Sequence, residues 1–106
     1  MIDLDSESLE TIKTILWEQV PDCEVRAYGS RVEGRARKYS DLDLAIVGPE
    51  ALSFDTLESL KDAFSESDLS ILVDVLDWHQ ISETFQKIIA AQHERIQFPS
   101  SGTLKL

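Results

Sequence analysis

A single cysteine, Cys23, excludes a disulfide within the chain and suits a reducing compartment. No apolar stretch approaches the ~20 residues that a membrane-spanning helix requires. The N-terminal Met-Ile-Asp-Leu-Asp is acidic, with no basic segment ahead of an apolar run. No export signal and no membrane association are therefore expected, and the expected location is cytoplasmic. Positive charge is also scarce: 10 Lys and Arg stand against 20 Asp and Glu, a net charge of -10. Sequence-independent nucleic-acid binding needs Lys and Arg against the phosphates, so no nucleic-acid partner is expected. His79 and His93 have no Cys/His spacing for zinc. No Ser/His/Asp nucleophile motif, internal repeat or low-complexity segment is present.

What remains is the length and composition of one soluble globular domain: 106 residues, 42% apolar and 28% charged. Residues 6 to 20 have helical spacing. Leu9, Ile12, Leu16 and Val20 recur every three or four positions, Ser6 is the expected N-cap, and Pro21-Asp22 stops the run. Glu24 to Tyr28 is a short alternating strand, and residues 31 to 37 are expected to form a short helix. The second strand is Asp41 to Val47. Its first half alternates, and its second half is continuously apolar, as when the far end is buried on both faces. Helical spacing returns over Phe54 to Phe64 and over Ser82 to Gln92. Between them Leu69 to Leu76 reads as a third strand that carries one charge, Asp74. The expected fold is α/β (α+β): a small mixed three-stranded sheet with helices packed on it, in one domain over residues 1–98. Residues 99–106 have turn composition and are expected to be loose or partner-bound.

The informative stretch runs from Tyr28 to Leu44: Gly29-Ser30, ten residues, then Asp41-Leu42-Asp43. Five of the ten Lys and Arg (Arg26, Arg31, Arg35, Arg37 and Lys38) fall within thirteen residues around the Gly-Ser. Glycine lets a backbone approach a ligand closely, and Ser30 offers an N–H and a hydroxyl to a phosphate. Arg31, next to Ser30, is the first candidate to contact phosphate; a surface role is the alternative. Ser40 is expected to shape the turn into the second strand, or to hydrogen-bond at the metal site. Asp41 and Asp43 are two apart on a strand, so both project from one face, roughly 6.6 Å apart at ~3.3 Å per residue. Alone, such a pair is an ordinary solvated strand start. Asp74 alters that assessment, because a carboxylate among Ile71, Leu72, Val73, Val75 and Leu76 is costly to bury unless paired or metal-bound. Beside the second strand it completes a three-carboxylate cluster able to hold Mg²⁺, in a two-metal site ~3.5–4 Å across. Asp77 lies at odd spacing from Asp74, points the other way and is expected to cap the next helix. Trp17, Trp78 and Phe85 are expected in the core or at an interface.

Gly29-Ser30, ten residues, Asp41-x-Asp43 and a later strand Asp74 together resemble the DNA polymerase β-like nucleotidyltransferase superfamily. Within it, Gly-Ser-Arg-Val-Glu-Gly-Arg-Ala-Arg-Lys-Tyr-Ser-Asp-Leu-Asp-Leu is similar to the minimal nucleotidyltransferases (MNT-type) of prokaryotes, over about residues 10 to 90. The resemblance implies that Gly29 and Ser30 hold the triphosphate of an NTP, ATP in the first instance. It also implies that Asp41 and Asp43 ligate the metals, and that Asp74 is the third ligand and helps activate an acceptor hydroxyl. The implied reaction is transfer of a nucleoside monophosphate with release of pyrophosphate. The implied partner is a small helical HEPN-type toxin, modified on a tyrosine, with this chain as antitoxin and an oligomer with that partner. A non-catalytic antitoxin that works by occlusion is the alternative. An aminoglycoside-type transferase for small molecules is a third reading, and the short chain speaks against it.

Overall fold

The computed structural model describes residues 2–100. Helix α1 spans Ser6–Gln19, and its cap is Asp5, one residue before the expected Ser6. The Asp5 carboxylate accepts a hydrogen bond from Ser8 N–H at 3.0 Å. Either residue type can cap; an ionised carboxylate accepts the more strongly and also sits at the positive end of the helix dipole. Strand β1 follows at Glu24–Tyr28. The helix expected over 31–37 starts one residue earlier and is shorter: α2 spans Ser30–Glu33 and stops at Gly34, which adopts the left-handed conformation. Strand β2 is Leu42–Val47 and helix α3 is Phe54–Ser65, capped by the Ser53 hydroxyl. Strand β3 covers Val73–Asp77, four residues later in its start than expected. A 3₁₀ turn over Trp78–Gln80 leads to helix α4, Glu83–Ala91, capped by Ser82.

A fourth strand, β4 at Glu94–Gln97, was not expected. The sheet order is β3-β2-β1-β4, with β1 antiparallel to both neighbours and β2 parallel to β3. The mixed α/β class holds with four strands in place of three. β4 has one apolar residue, Ile96, so it lacks the alternation that marks a strand. It forms because β1 offers it an edge. Arg95 lies 3.9 Å from Glu24 and stacks over the Phe98 ring, and the buried Gln97 amide donates to the carbonyls of Val20 and Cys23 at 2.9 and 3.0 Å. Ser100 is tied back to Pro21 and Asp22, so the expected loose tail does not begin before it; residues 101–106 lie outside the described residues.

One sheet face carries the core. Ile12 and Leu16 of α1 and Leu60 and Phe64 of α3 pack with Val25, Ala27, Leu42, Leu44, Ile46 and Val75. Side chains alternate along each strand, so the intervening residues (Glu24, Arg26, Tyr28, Asp43, Asp74) belong to the other face. There Tyr28 meets Phe85 of α4 edge-on, with centroids 5.8 Å apart, and Arg26 stacks over Trp78 at 4.7 Å. Trp78 and Phe85 are half-buried as expected, whereas Trp17 is exposed on α1. No helix among the described residues is long and apolar enough to cross a membrane.

Candidate active site

Strand register assembles the site. Tyr28 of β1 is the partner of Asp43 of β2, and Asp43 is in turn the partner of Asp74 of β3. Three side chains from three adjacent strands therefore stand in a row on the face away from the core. Asp41 precedes β2 by one residue and is exposed; Asp74 is exposed, and Asp43 between them is half-buried. Burial pushes the Asp43 carboxyl above its usual range, and the charges of Asp74 and Asp41 push it further. Both neighbouring carboxylates thus act on Asp43, the mutual repulsion expected of Asp41-x-Asp43 with Asp74 beside it.

Gly29 closes this row from the β1 side. It has φ +84° and ψ -158°, a combination essentially reserved for glycine. A Cβ built on it would lie 2.4 Å from Asp43 Oδ2. The backbone of the Gly29-Ser30 turn therefore runs against the central carboxylate, and only a residue without a side chain permits it. Val32 and Glu33 both donate to the Gly29 carbonyl at 3.0 Å, which turns the chain sharply into α2.

The register adds to this row Tyr28, which the sequence marks only as the end of a strand. Burial raises its phenol pKa most, and Asp43 and Asp74 raise it further, which places the phenol within the field of both carboxylates. The signal was available: it is the last residue of β1, two positions from Arg26 on the same face and directly before Gly29.

Arg31 is placed otherwise than expected. Its side chain is buried, with 6% exposure, and the guanidinium points into the loop that follows α2. It donates to the carbonyls of Asp3 at 2.7 Å, Ser40 at 2.9 Å, Lys38 at 3.1 Å and Arg37 at 3.4 Å. A guanidinium so engaged is not presented to a phosphate. Its planar fork fits several backbone carbonyls at once, and a loop without regular structure has carbonyls in need of donors. Ser40 shapes the turn: its Oγ accepts from Arg37 N–H at 2.8 Å, and its N–H donates to the Arg37 carbonyl at 3.0 Å. Arg35 pairs with Glu33, and Lys38 lies over the Tyr39 ring. Asp77 does cap: its buried carboxylate accepts from His79 N–H at 3.0 Å and from Leu52 N–H at 2.8 Å, so both oxygens serve the fold. A polar cleft lined by Asp5, Glu7, Ser8, Thr11 and Asp68 includes none of the site residues, and its acidic lining disfavours a triphosphate.

The family described as Polymerase beta, Nucleotidyltransferase matches residues 10–98. The chain belongs to that family. Over 96 residues it is 54% identical to the probable protein adenylyltransferase MntA of Haemophilus influenzae, covering 91% of this chain and 84% of the relative. Among solved structures it is similar to a toxin-antitoxin structure with AMP-PNP, with a TM-score of 0.73 and 20% identity over 89% of this chain and 76% of that one. It is similar also to the toxin-antitoxin MntA-HepT, with a TM-score of 0.60 and 15% identity over 93% of this chain and 76% of that one. At these identities the likeness of structure concerns the fold. The chain is a nucleotidyltransferase.

This family implies a divalent cation. Among the described residues no three His, Cys, Asp or Glu side chains form a ready-made metal cage. The row does fit a cation of the Mg²⁺ kind, which takes one or two carboxylates and completes its octahedron with waters and substrate phosphate. The donors here are hard carboxylate oxygens, and the perturbed Asp43 is the group that an added positive charge relieves.

Proposed function

We propose that this nucleotidyltransferase moves AMP from ATP to a hydroxyl on a HEPN-type protein partner, a tyrosine hydroxyl in the first instance, and thereby acts as an antitoxin. The observation that carries the proposal is the row Tyr28, Asp43, Asp74 with Gly29 closed against Asp43. Its assignment to protein modification is supported by 54% identity to a probable protein adenylyltransferase.

The flanks of the row suit different substrates. On the β1 side Gly29 and Ser30 hold the triphosphate through backbone N–H groups and the Ser30 hydroxyl. In the centre Asp41 and Asp43, with Asp74 beside them, would hold Mg²⁺. Bound there, the cation neutralises phosphate charge and lowers the barrier to loss of pyrophosphate. On the other side β3 is the edge strand, and Asp74 stands exposed on it. Attack in line with the leaving group requires the acceptor to lie opposite the pyrophosphate, so the acceptor comes to Asp74. Its hydroxyl proton passes to that carboxylate as its oxygen forms a bond to the α-phosphorus. The bond from that phosphorus to the bridging oxygen breaks, and pyrophosphate departs. Ser40 acts by holding the turn before Asp41.

Incubation with labelled ATP, Mg²⁺ and the HEPN-type partner is expected to label the partner. Label transfer that persists undiminished when Asp41→Asn and Asp43→Asn are combined would refute the proposal. A second reading, antitoxin action by occlusion, is favoured by two exposed apolar side chains at the rim, Tyr39 (72% exposed) and Leu72 (73% exposed). It predicts that the double variant protects cells as well as the parent does.

A further inference from the structure

We propose that Arg31 is a positioning residue for Asp41: its buried guanidinium fixes the 35–40 loop and through it sets where Asp41 stands. This rests on the transferase reading above for what Asp41 does, and on geometry alone for what Arg31 does.

The two aspartates of the motif are held by different means. Asp43 lies inside β2, between β1 and β3, and the sheet fixes it. Asp41 precedes β2, and its position is inherited from the loop before it. That loop has little of its own to hold it. Arg35, Arg37, Lys38 and Tyr39 are all exposed, so it has little apolar packing to anchor it. Its internal bonds are few: Arg35 N–H to the Ser30 carbonyl, and the two between Arg37 and Ser40. Beyond these and the exposed Arg35–Glu33 pair, the anchor is one side chain. Nε of Arg31 takes the Ser40 carbonyl, the last before Asp41, while Nη2 takes those of Arg37 and Lys38. Nη1 reaches the Asp3 carbonyl, and Asp3 N–H donates back to the Arg31 carbonyl at 2.7 Å, so the N-terminal segment braces the guanidinium from behind.

Charge-assisted bonds from one rigid fork to four carbonyls cannot be reproduced by lysine, whose ammonium is a point donor on a flexible stem. Arg31→Lys thus keeps the charge and loses the geometry. The deciding measurement is hydrogen exchange on the full chain. Faster exchange confined to residues 35–41, with β1 and β2 protected as in the parent, is expected; unchanged or uniformly faster exchange would overturn the proposal. Transfer activity supplies the second readout. With labelled ATP and the HEPN-type partner, kcat is expected to fall between ~10-fold and ~100-fold, the scale of a displacement near 1 Å. The Mg²⁺ concentration for half-maximal rate is expected to rise, with KM for the partner unchanged. An Arg31→Lys protein with the parent's Mg²⁺ requirement would also overturn the proposal. If the parent itself transfers nothing, the transferase reading fails, and hydrogen exchange still decides whether Arg31 fixes the loop. Arg31→Gln keeps one amide donor and buries no charge. It keeps the test open if Arg31→Lys does not fold: a local gain in exchange over 35–41 supports the proposal, and parent-like exchange opposes it.

Discussion

Gly29→Ala separates what backbone strain does to this protein from what a clash does to its chemistry. The φ of +84° at Gly29 and of +79° at Gly34 are both unfavourable for alanine. At Gly34 the new Cβ meets nothing within 4 Å, so the cost is conformational only, about 1 kcal/mol. At Gly29 the strain is about 1–3 kcal/mol, because ψ is also in a region few residues other than glycine adopt. There the Cβ also falls 2.4 Å from Asp43 Oδ2, where ordinary contact begins at 3.4 Å. Asp43 or the turn must then yield by about 1 Å, a displacement that can lower a rate ~10²-fold when it falls on a reacting geometry. For a chain of this size each kcal/mol lowers Tm by roughly 4–8 °C. Gly34→Ala is thus expected to lose one such step in a thermal melt and keep its transfer rate. Gly29→Ala is expected to lose as much or more in the melt and, while folded at 20 °C, to transfer AMP ~10²-fold more slowly. Equal transfer by the two variants would refute the idea that Gly29 is required for its closeness to Asp43.

Asp43→Asn removes the charge that its neighbours and its burial oppose, so Tm of the metal-free protein at neutral pH is expected to rise while transfer is lost; a fall in Tm would contradict the electrostatic account. Leu72→Asp places a charge just before the edge strand, two residues from Asp74, and is expected to raise KM for the partner several-fold, leaving ATP binding as in the parent, measured by steady-state labelling and calorimetry. Burial, with Asp22 and Asp77, raises the Cys23 thiol above its ordinary 9.0. Between that value and the raised one the folded chain binds more protons than the unfolded chain, so stability falls as pH rises through this window. Thiol alkylation followed against pH is expected to stay slow at pH 9 until the protein unfolds.

The helices and the first two strands were legible because their apolar spacing is local. Asp43 and Asp74 were legible for the same reason: each interrupts an alternating or apolar run, and a charge in that place demands an explanation. β4 was not legible, since Glu94, Arg95 and Gln97 find their partners on β1 and in the turn before it. Arg31 was misjudged for a physical reason. Beside a turn expected to bind phosphate, a cation invites a Coulombic role. The four carbonyls that compete for it come from residues as far apart as Asp3 and Ser40, and their orientation exists only once the loop is closed.

The spacing of ten residues between Ser30 and Asp41 has a structural cause. β1 and β2 are antiparallel, so a minimal hairpin would join them in two residues and leave no room for the Gly29-Ser30 turn and α2 between the strands. The chain instead leaves β1 through α2 and returns through a loop that needs an internal donor, which Arg31 supplies. This carries the Gly29-Ser30 turn and Asp41 to the same end of the sheet. β3 is parallel to β2 and can reach that end only by a crossover, which α3 provides. The parallel register sets Asp74 beside Asp43 on an uncovered edge. The Gly29-Ser30 turn on one flank and an open carboxylate on the other thus follow from one antiparallel and one parallel pairing. On the proposed transferase reading, the acceptor then brings its own surface to the open Asp74 side of the row.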